Sequence, residues 1–351
     1  MESGLHPKAL LLLERRSIGR ATLTALREFT SRSSADDRGL LEALLGDGRF
    51  LLAMTGMALI ASGGFAIAQS ISGQLLPHDV QALGMNADAL RQRANANMVR
   101  FMFHDRVAFG GGLIAIGSAY WWLAEFPLCA GAAWAWWTLA LSGGFGFLSF
   151  LAYLGYGYLD TWHGVATFFL LPVFLAGLWR ARGLVSSPLS ASAIWRTERK
   201  AEPTAVAVGR KLLLFCGVGL IAAGATILAV GMTFVFVPQD VTFIGLPPTA
   251  LRAVSPMLIP LIAHDRAGFG GALFSVGVIL VMTMRHARIT QSLVELIAWM
   301  GVCGFGAAMG VHIVIGYIDF LHLLPAYAGF LIFAVGMALL TRGLIKDGSV
   351  S

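Results

Sequence analysis

The sequence predicts an all-α integral membrane protein: eight transmembrane helices arranged as two tandem, parallel four-helix repeats with pseudo-two-fold symmetry. Three observations carry this. Hydrophobic residues make up 57% of the 351 residues and charged ones only 13%, about half the roughly 25% that soluble domains use. Apolar runs such as 212–237 and 267–284 have about the ~20-residue length that crosses a bilayer. Finally, His-Asp-Arg-x-x-Phe-Gly-Gly occurs twice, starting at His104 and at His264, 160 residues apart.

Residues 1–48 form a basic tail that includes Arg15, Arg16, Arg20, Arg27, Arg32 and Arg38. The short apolar run before Glu14 lacks the length and cleavage site of a signal peptide. The tail reads as a cytoplasmic segment whose arginines set orientation and meet anionic lipid headgroups. The first repeat, 49–181, has spans at about 50–70, 107–124, 131–156 and 164–181 by apolar continuity. A polar linker with Pro and Ser, 182–209, follows. The second repeat, 210–342, has spans at about 211–236, 267–284, 293–315 and 323–341, before a short cytoplasmic C-terminal tail, 343–351.

The two repeats match piece by piece. Leu59-Ile60-Ala61-Ser62-Gly63 corresponds to Leu220-Ile221-Ala222-Ala223-Gly224, and Pro77-His78-Asp79-Val80 to Pro238-Gln239-Asp240-Val241. Ala89-Leu90-Arg91 corresponds to Ala250-Leu251-Arg252, and Gly144-Phe145-Gly146 to Gly304-Phe305-Gly306. Gly-Tyr-x-Asp-x-x-His occurs at 157–163 and again at 316–322. An even number of spans per unit inserts both units the same way up, so the repeats are expected to be parallel.

Orientation follows from arginine and lysine. The N-terminal tail, the linker, the 285–288 loop and the C-terminal tail share one side, cytoplasmic by the positive-inside rule and consistent with a cell (inner) membrane. Trp121, Trp122, Trp134, Trp136, Trp137 and Trp179 fall at the same span ends, as an interfacial belt should. The opposite face carries longer loops, about 71–106 and 237–266. Arg91, Arg93, Arg100 and Arg252 there run against the simplest charge rule, and a ligand or partner on that face would account for them. Asn86 suggests a capped surface helix over 86–100, whereas the prolines at 247, 248, 256 and 260 disfavour a long helix in the second loop.

On this topology His104-Asp105-Arg106 and His264-Asp265-Arg266 open the second span of each unit. Asp160 with His163, and Asp319 with His322, close the third span and turn into the fourth. The result is a double set of His, Asp and Arg at one depth, and ionisable residues at such depth usually face a bundle interior or wet cavity. A purely structural role is open for the charges: Asp105 and Asp265 as helix caps, Arg106 paired with Asp160, and Arg266 with Asp319. Phe-Gly-Gly would then let spans two and three approach closely. His78 and Asp79 read as a turn or cap. His312 stands where the first repeat has Tyr153, seven residues before Asp319, and reads by default as a packing residue.

Three functions remain. The arginines and paired His/Asp residues suit a small polar or anionic ligand that is bound or translocated. The histidines His104, His163, His264 and His322 suit a transition metal or haem in a membrane oxidoreductase, or proton transfer. In the third, the clusters only hold helices together. Cys129, Cys216 and Cys303 lack metal or disulfide spacing, and no nucleotide loop or G-x-S-x-G elbow is present. The net charge of +6 is placed beside hydrophobic spans, so nucleic acid is not the expected partner; the bilayer is.

Overall fold

The computed structural model describes residue 39 and residues 45–155, 157–185, 189–195 and 202–348. The basic tail up to residue 38, parts of the linker and the last three residues, read above as cytoplasmic segments, lie outside the described residues. Asp47–Ser351 form one compact unit, and Met1–Gly46 are grouped separately from it.

Every regular element among the described residues is helical. In chain order they are α1 (Arg49–Ser72), α2 (Pro77–Leu83), α3 (Ala87–Arg93), α4 (Ala96–Leu123), α5 (Ala133–Phe150), α6 (Thr161–Ala181) and α7 (Ser192–Trp195). The remainder are α8 (Thr204–Met232), α9 (Pro238–Ile244), α10 (Pro248–Val254), α11 (Leu258–His286), α12 (Gln291–Ile315) and α13 (Phe320–Gly348). Among them, α1, α4, α6, α8, α11, α12 and α13 are seven helices long and apolar enough to cross a membrane. The chain is a multi-pass helical protein of membrane type.

Two helices form the centre. The apolar windows of α4 and α11 are 67% and 72% buried, against 22–28% for the other five. Around this pair, α1 packs on α4 and α8 on α11, while α12 packs on α4 and α5 on α11. Close approach depends on glycine. A Cβ on Gly63 would collide with the Gly110 carbonyl, and one on Gly224 with the Gly270 carbonyl and the Phe274 amide. Small residues let helix backbones meet in membranes, where no hydrophobic force drives association. The first Gly of each Phe-Gly-Gly therefore admits α1 or α8. The second faces another helix: Gly111 meets Cys303 of α12, and Gly271 meets Ser149 of α5.

The second spans start earlier than their apolar runs suggest. Helix α4 begins at Ala96, not near 107, with the Asn95 side chain accepting from the Met98 amide. Helix α11 begins at Leu258, not near 267. His-Asp-Arg is thus about two to three turns inside α4 and about two turns inside α11, and the expected capping role of Asp105 and Asp265 does not occur. The expected helix over 86–100 is also broken. Asn86 does cap α3, but α3 ends at Arg93 and α4 starts three residues later. In the second loop the prolines start two seven-residue helices, α9 and α10.

Two hydrophobic cores result. One lies among the long helices and includes Phe109, Ala115 and Tyr120 of α4 with Ala272, Val276 and Ile279 of α11. The other joins the short helices to the first turns of α4 and α11, through Leu83, Leu90, Met98, Phe101, Ile244, Leu251, Leu258 and Ile262. His104-Asp105-Arg106 and His264-Asp265-Arg266 fall between the two. The polar motif is a layer between apolar cores, not an edge facing water.

Adding a methyl group at the helix crossing should therefore be costly. Gly224→Ala is expected to lower stability by about 1–3 kcal/mol, the usual penalty for overpacking. At Gly64, where a Cβ would meet nothing within 4 Å, the same change should be near neutral. Thermal melting in detergent checks this, and equal melting temperatures for the two variants would contradict the packing described.

Candidate functional site

The layer is built first from arginine and aspartate. Arg106 donates Nη1 and Nη2 to the two oxygens of Asp79 at 2.6 and 3.1 Å, and Nε to Asp265 at 2.8 Å. Arg266 reaches Asp240 through Nη2 at 2.8 Å and Asp105 through Nε at 3.2 Å. Arg106 of α4 thus joins Asp79 of α2 to Asp265 of α11, and Arg266 of α11 joins Asp240 of α9 to Asp105 of α4. All six side chains are buried. Tyr158 donates to Asp79 at 2.6 Å and Tyr317 to Asp240 at 2.8 Å.

The expected pairs of Arg106 with Asp160 and Arg266 with Asp319 are therefore replaced. The reason lies in α2 and α9, whose N-termini hold Asp79 and Asp240 directly above the arginines. Each of these aspartates also accepts the amide that precedes its helix, from Leu76 at 3.1 Å and from Val237 at 2.8 Å. Asp79, read from sequence as a cap, is both cap and ion-pair partner. The remaining Nη1 of Arg266 donates to the Val235 carbonyl at 2.6 Å. Val235 has φ of 64°, a left-handed conformation that a β-branched residue rarely adopts, and the arginine helps hold it there.

Burial opposes ionisation of Asp79, but the Arg106 charge and the bonds it receives outweigh this and hold its carboxyl below the ordinary range. Burial and the adjoining carboxylate raise the Tyr158 hydroxyl, and burial with Asp240 does the same for Tyr317. Both tyrosines are accordingly donors.

Two histidine clusters flank the arginines. In the first, Asp160, His163 and His264 offer ligand atoms all within 4.8 Å of one another. His163 Nδ1 lies 2.8 Å from His264 Nε2 and 3.0 Å from Asp160 Oδ2. Asp160 caps α6 by accepting the Trp162 and His163 amides, which turns its other oxygen towards the imidazoles. His78 Nε2 stands 2.9 Å from Asp160 Oδ1. Burial alone would raise the Asp160 carboxyl, yet the His163 and His78 imidazoles beside it hold it well below the usual carboxylate range.

In the second cluster His104, His312 and His322 converge within the same 4.8 Å. His104 Nδ1 lies 2.5 Å from the Phe101 carbonyl, and His312 Nδ1 2.6 Å from that of Ala308. A carbonyl accepts only, so each Nδ1 carries a proton, and in a neutral ring Nε2 then keeps its lone pair. The His104 Nε2 stands 3.3 Å from Asp105 Oδ1, whereas the His312 Nε2 is buried with no hydrogen-bond partner among the described residues. Asp319 is outside this cluster: it is exposed and accepts the His322 amide at 2.7 Å. The side chain of Tyr153, compared above with His312, lies outside the described residues.

Each cluster joins a helix start to a central helix, His163 of α6 meeting His264 of α11 and His322 of α13 meeting His104 of α4. Sequence reasoning singled out every histidine in them and read His78 and Asp79 only as a turn or cap. It gave no role to Asp240, Tyr158 and Tyr317, although these recur in matched motifs. Of the loop arginines, Arg91 is occupied structurally, donating to the Gly73 carbonyl at 2.7 Å beyond the end of α1. Comparison with family models, curated proteins and solved structures finds no match to this chain.

Asp79→Ala is expected to lower stability by about 3–5 kcal/mol, as when one partner of a buried ion pair is removed. Tyr158→Phe, losing one hydrogen bond to a charged group, should lower it by about 1.5–3 kcal/mol. Because Arg106 holds the Asp79 carboxyl, despite its burial, below the ordinary value of 3.8 in the folded protein, its contribution is complete above that pH and is lost as pH falls through the lower folded value. Melting curves of wild type and Asp79→Ala should therefore converge in strong acid; a constant difference down to the lowest workable pH would refute the assignment.

Proposed function

We propose that this chain is a multi-pass membrane metalloprotein that holds one transition-metal ion at Asp160, His163 and His264 and another at His104, His312 and His322. The observation that carries the reading is the second cluster. Its buried His312 Nε2 lacks a partner, while backbone carbonyls fix the Nδ1 protons of His312 and His104. A carbonyl on the far ring nitrogen is the usual device that orients a metal-binding imidazole.

Charge supports a cation over the anionic ligand suggested by the loop arginines. Four carboxylates surround the two guanidiniums, a formal excess of two negative charges, and both arginines already face aspartates. Distances favour a bare ion over haem. Two ligands at about 2.0–2.1 Å from a metal lie roughly 2.9 Å apart when cis, and roughly 4 Å apart when on opposite sides of a haem iron. His163 and His264 are separated by 2.8 Å. Two histidines with a carboxylate suit non-haem iron or zinc, and three histidines suit zinc or copper. The Asp–Arg pairs fit the structural role considered above, as supports that set the spacing of the histidines.

The framework we propose has eight spans in two parallel repeats, 49–181 and 210–342, with both termini cytoplasmic in a cell membrane. Helix α5 would be the eighth span: its 18 residues rise about 27 Å, close to the roughly 30 Å hydrocarbon core. The 28 residues of α4 rise about 42 Å, so its first turns would stand above the hydrocarbon and place the metal layer near the outer interface.

Elemental analysis of detergent-purified protein, reconstituted separately with zinc, copper, iron and manganese, tests this. About two ions per chain are expected for the preferred metal. His312→Ala with His322→Ala should leave the first cluster's ion only, and His163→Ala should lose that ion and keep the other. Protein that retains none of the four metals, or retains them with all three histidines replaced, would overturn the proposal.

A further inference from the structure

The first cluster closes one end of a cleft of about 440 Å³, within the ~300–1,000 Å³ range of ligand pockets. Its walls are apolar and partly aromatic: Leu59 and Phe65 of α1, Phe109 and Leu113 of α4, Phe147 of α5 and Leu170 of α6. Asp160, His163 and His264 supply the polar end, beside Arg106 and Asp265. Asp265 is bound by Arg106, so the groups that would meet a head group at this end are Asp160 and the two imidazoles.

The cleft opens sideways. Helices α1 and α6 meet at one end, where a Cβ on Gly177 would stand 3.0 Å from the Leu52 side chain. Pro172 interrupts α6 above that contact, and a proline inside a helix bends it by removing a hydrogen bond and crowding the preceding turn. The exposed Ala61 and Phe65 of α1 and Trp162 and Ala166 of α6 line the cleft, so it reaches the surface between these two helices. On two apolar helices such an opening faces lipid, not water.

We infer that this cleft binds a lipid-soluble quinone or quinol, its ring between the phenylalanines and an oxygen of its head at His163 and Asp160. A flat ring suits walls of Phe65, Phe109 and Phe147, because aromatic rings stack offset or edge-on. A head bearing oxygen suits a polar end able both to donate and to accept. An alkyl or isoprenoid tail would leave through the gap between α1 and α6. The inference rests on the metal reading only for what the bound ion would do to the head group; binding itself needs the cleft and the imidazoles.

The test is equilibrium binding of decyl-substituted benzoquinone to the full-length protein in detergent, with decylbenzene as the probe that has the ring and tail but no oxygens. Saturable binding of one quinone per chain is expected, with decylbenzene weaker by about tenfold or more, the scale of one good hydrogen bond. His163→Ala should weaken the quinone alone, while Ala61→Trp and Ala166→Trp, on the exposed rim, should block both probes without removing metal. Equal binding of the two probes, or unchanged quinone binding in both tryptophan variants, would overturn the inference and leave the cleft as a lipid contact. Quinone binding by a protein that elemental analysis finds metal-free would uphold this inference and overturn the metal reading; metal without quinone binding would do the reverse.

Discussion

Two buried arginines hold this protein together. An unpaired guanidinium in an apolar interior costs several kcal/mol, so Arg106 and Arg266 must each find carboxylates, and each finds two. One comes from a short helix, α2 or α9, as Asp79 or Asp240, and the other from the opposite central helix, Asp265 or Asp105. The requirement ties α4 to α11 and ties the short helices down onto both. It also explains why a polar layer can lie between two apolar cores: its charges are satisfied within the layer.

The histidines inherit their positions from this clamp. His104 and His264 immediately precede Asp105 and Asp265, so the same helical turn that presents an aspartate across the interface presents an imidazole beside it. Helices α6 and α13 bring His163 and His322 to meet them, with Asp160 and Asp319 accepting backbone amides at the two helix starts. The clusters then diverge. The first takes its third donor from the Asp160 cap, the second from His312 one helix earlier, giving a mixed oxygen and nitrogen set in one place and nitrogen alone in the other. Only the first adjoins the described aromatic cleft, so different tasks for the two follow naturally from the proposed chemistry.

Glycine complements the clamp. The paired contacts Gly63 with Gly110 and Gly224 with Gly270 bring α1 onto α4 and α8 onto α11 at backbone contact. Gly111 and Gly271 do the same for α12 and α5. Charge sets which helices meet in the polar layer, and the absent side chains set how closely they meet below it.

Composition and apolar run length were enough to read the membrane class from sequence, because burial in lipid demands long charge-poor helices whatever their arrangement. The doubled His-Asp-Arg and Gly-Tyr-x-Asp-x-x-His motifs were also enough to single out His104, His163, His264 and His322, since charge and imidazole inside apolar runs require partners. Which partners they take was decided only by tertiary structure. Matched motifs are interchangeable in sequence, so nothing there says whether His163 meets His104 or His264, or whether Arg106 meets Asp160 or Asp79. The packing of α12 on α4 and α5 on α11 makes that choice. Helices α2 and α9 then place Asp79 and Asp240, unremarkable as turn residues in the linear chain, against the two charges that the interior could not otherwise hold.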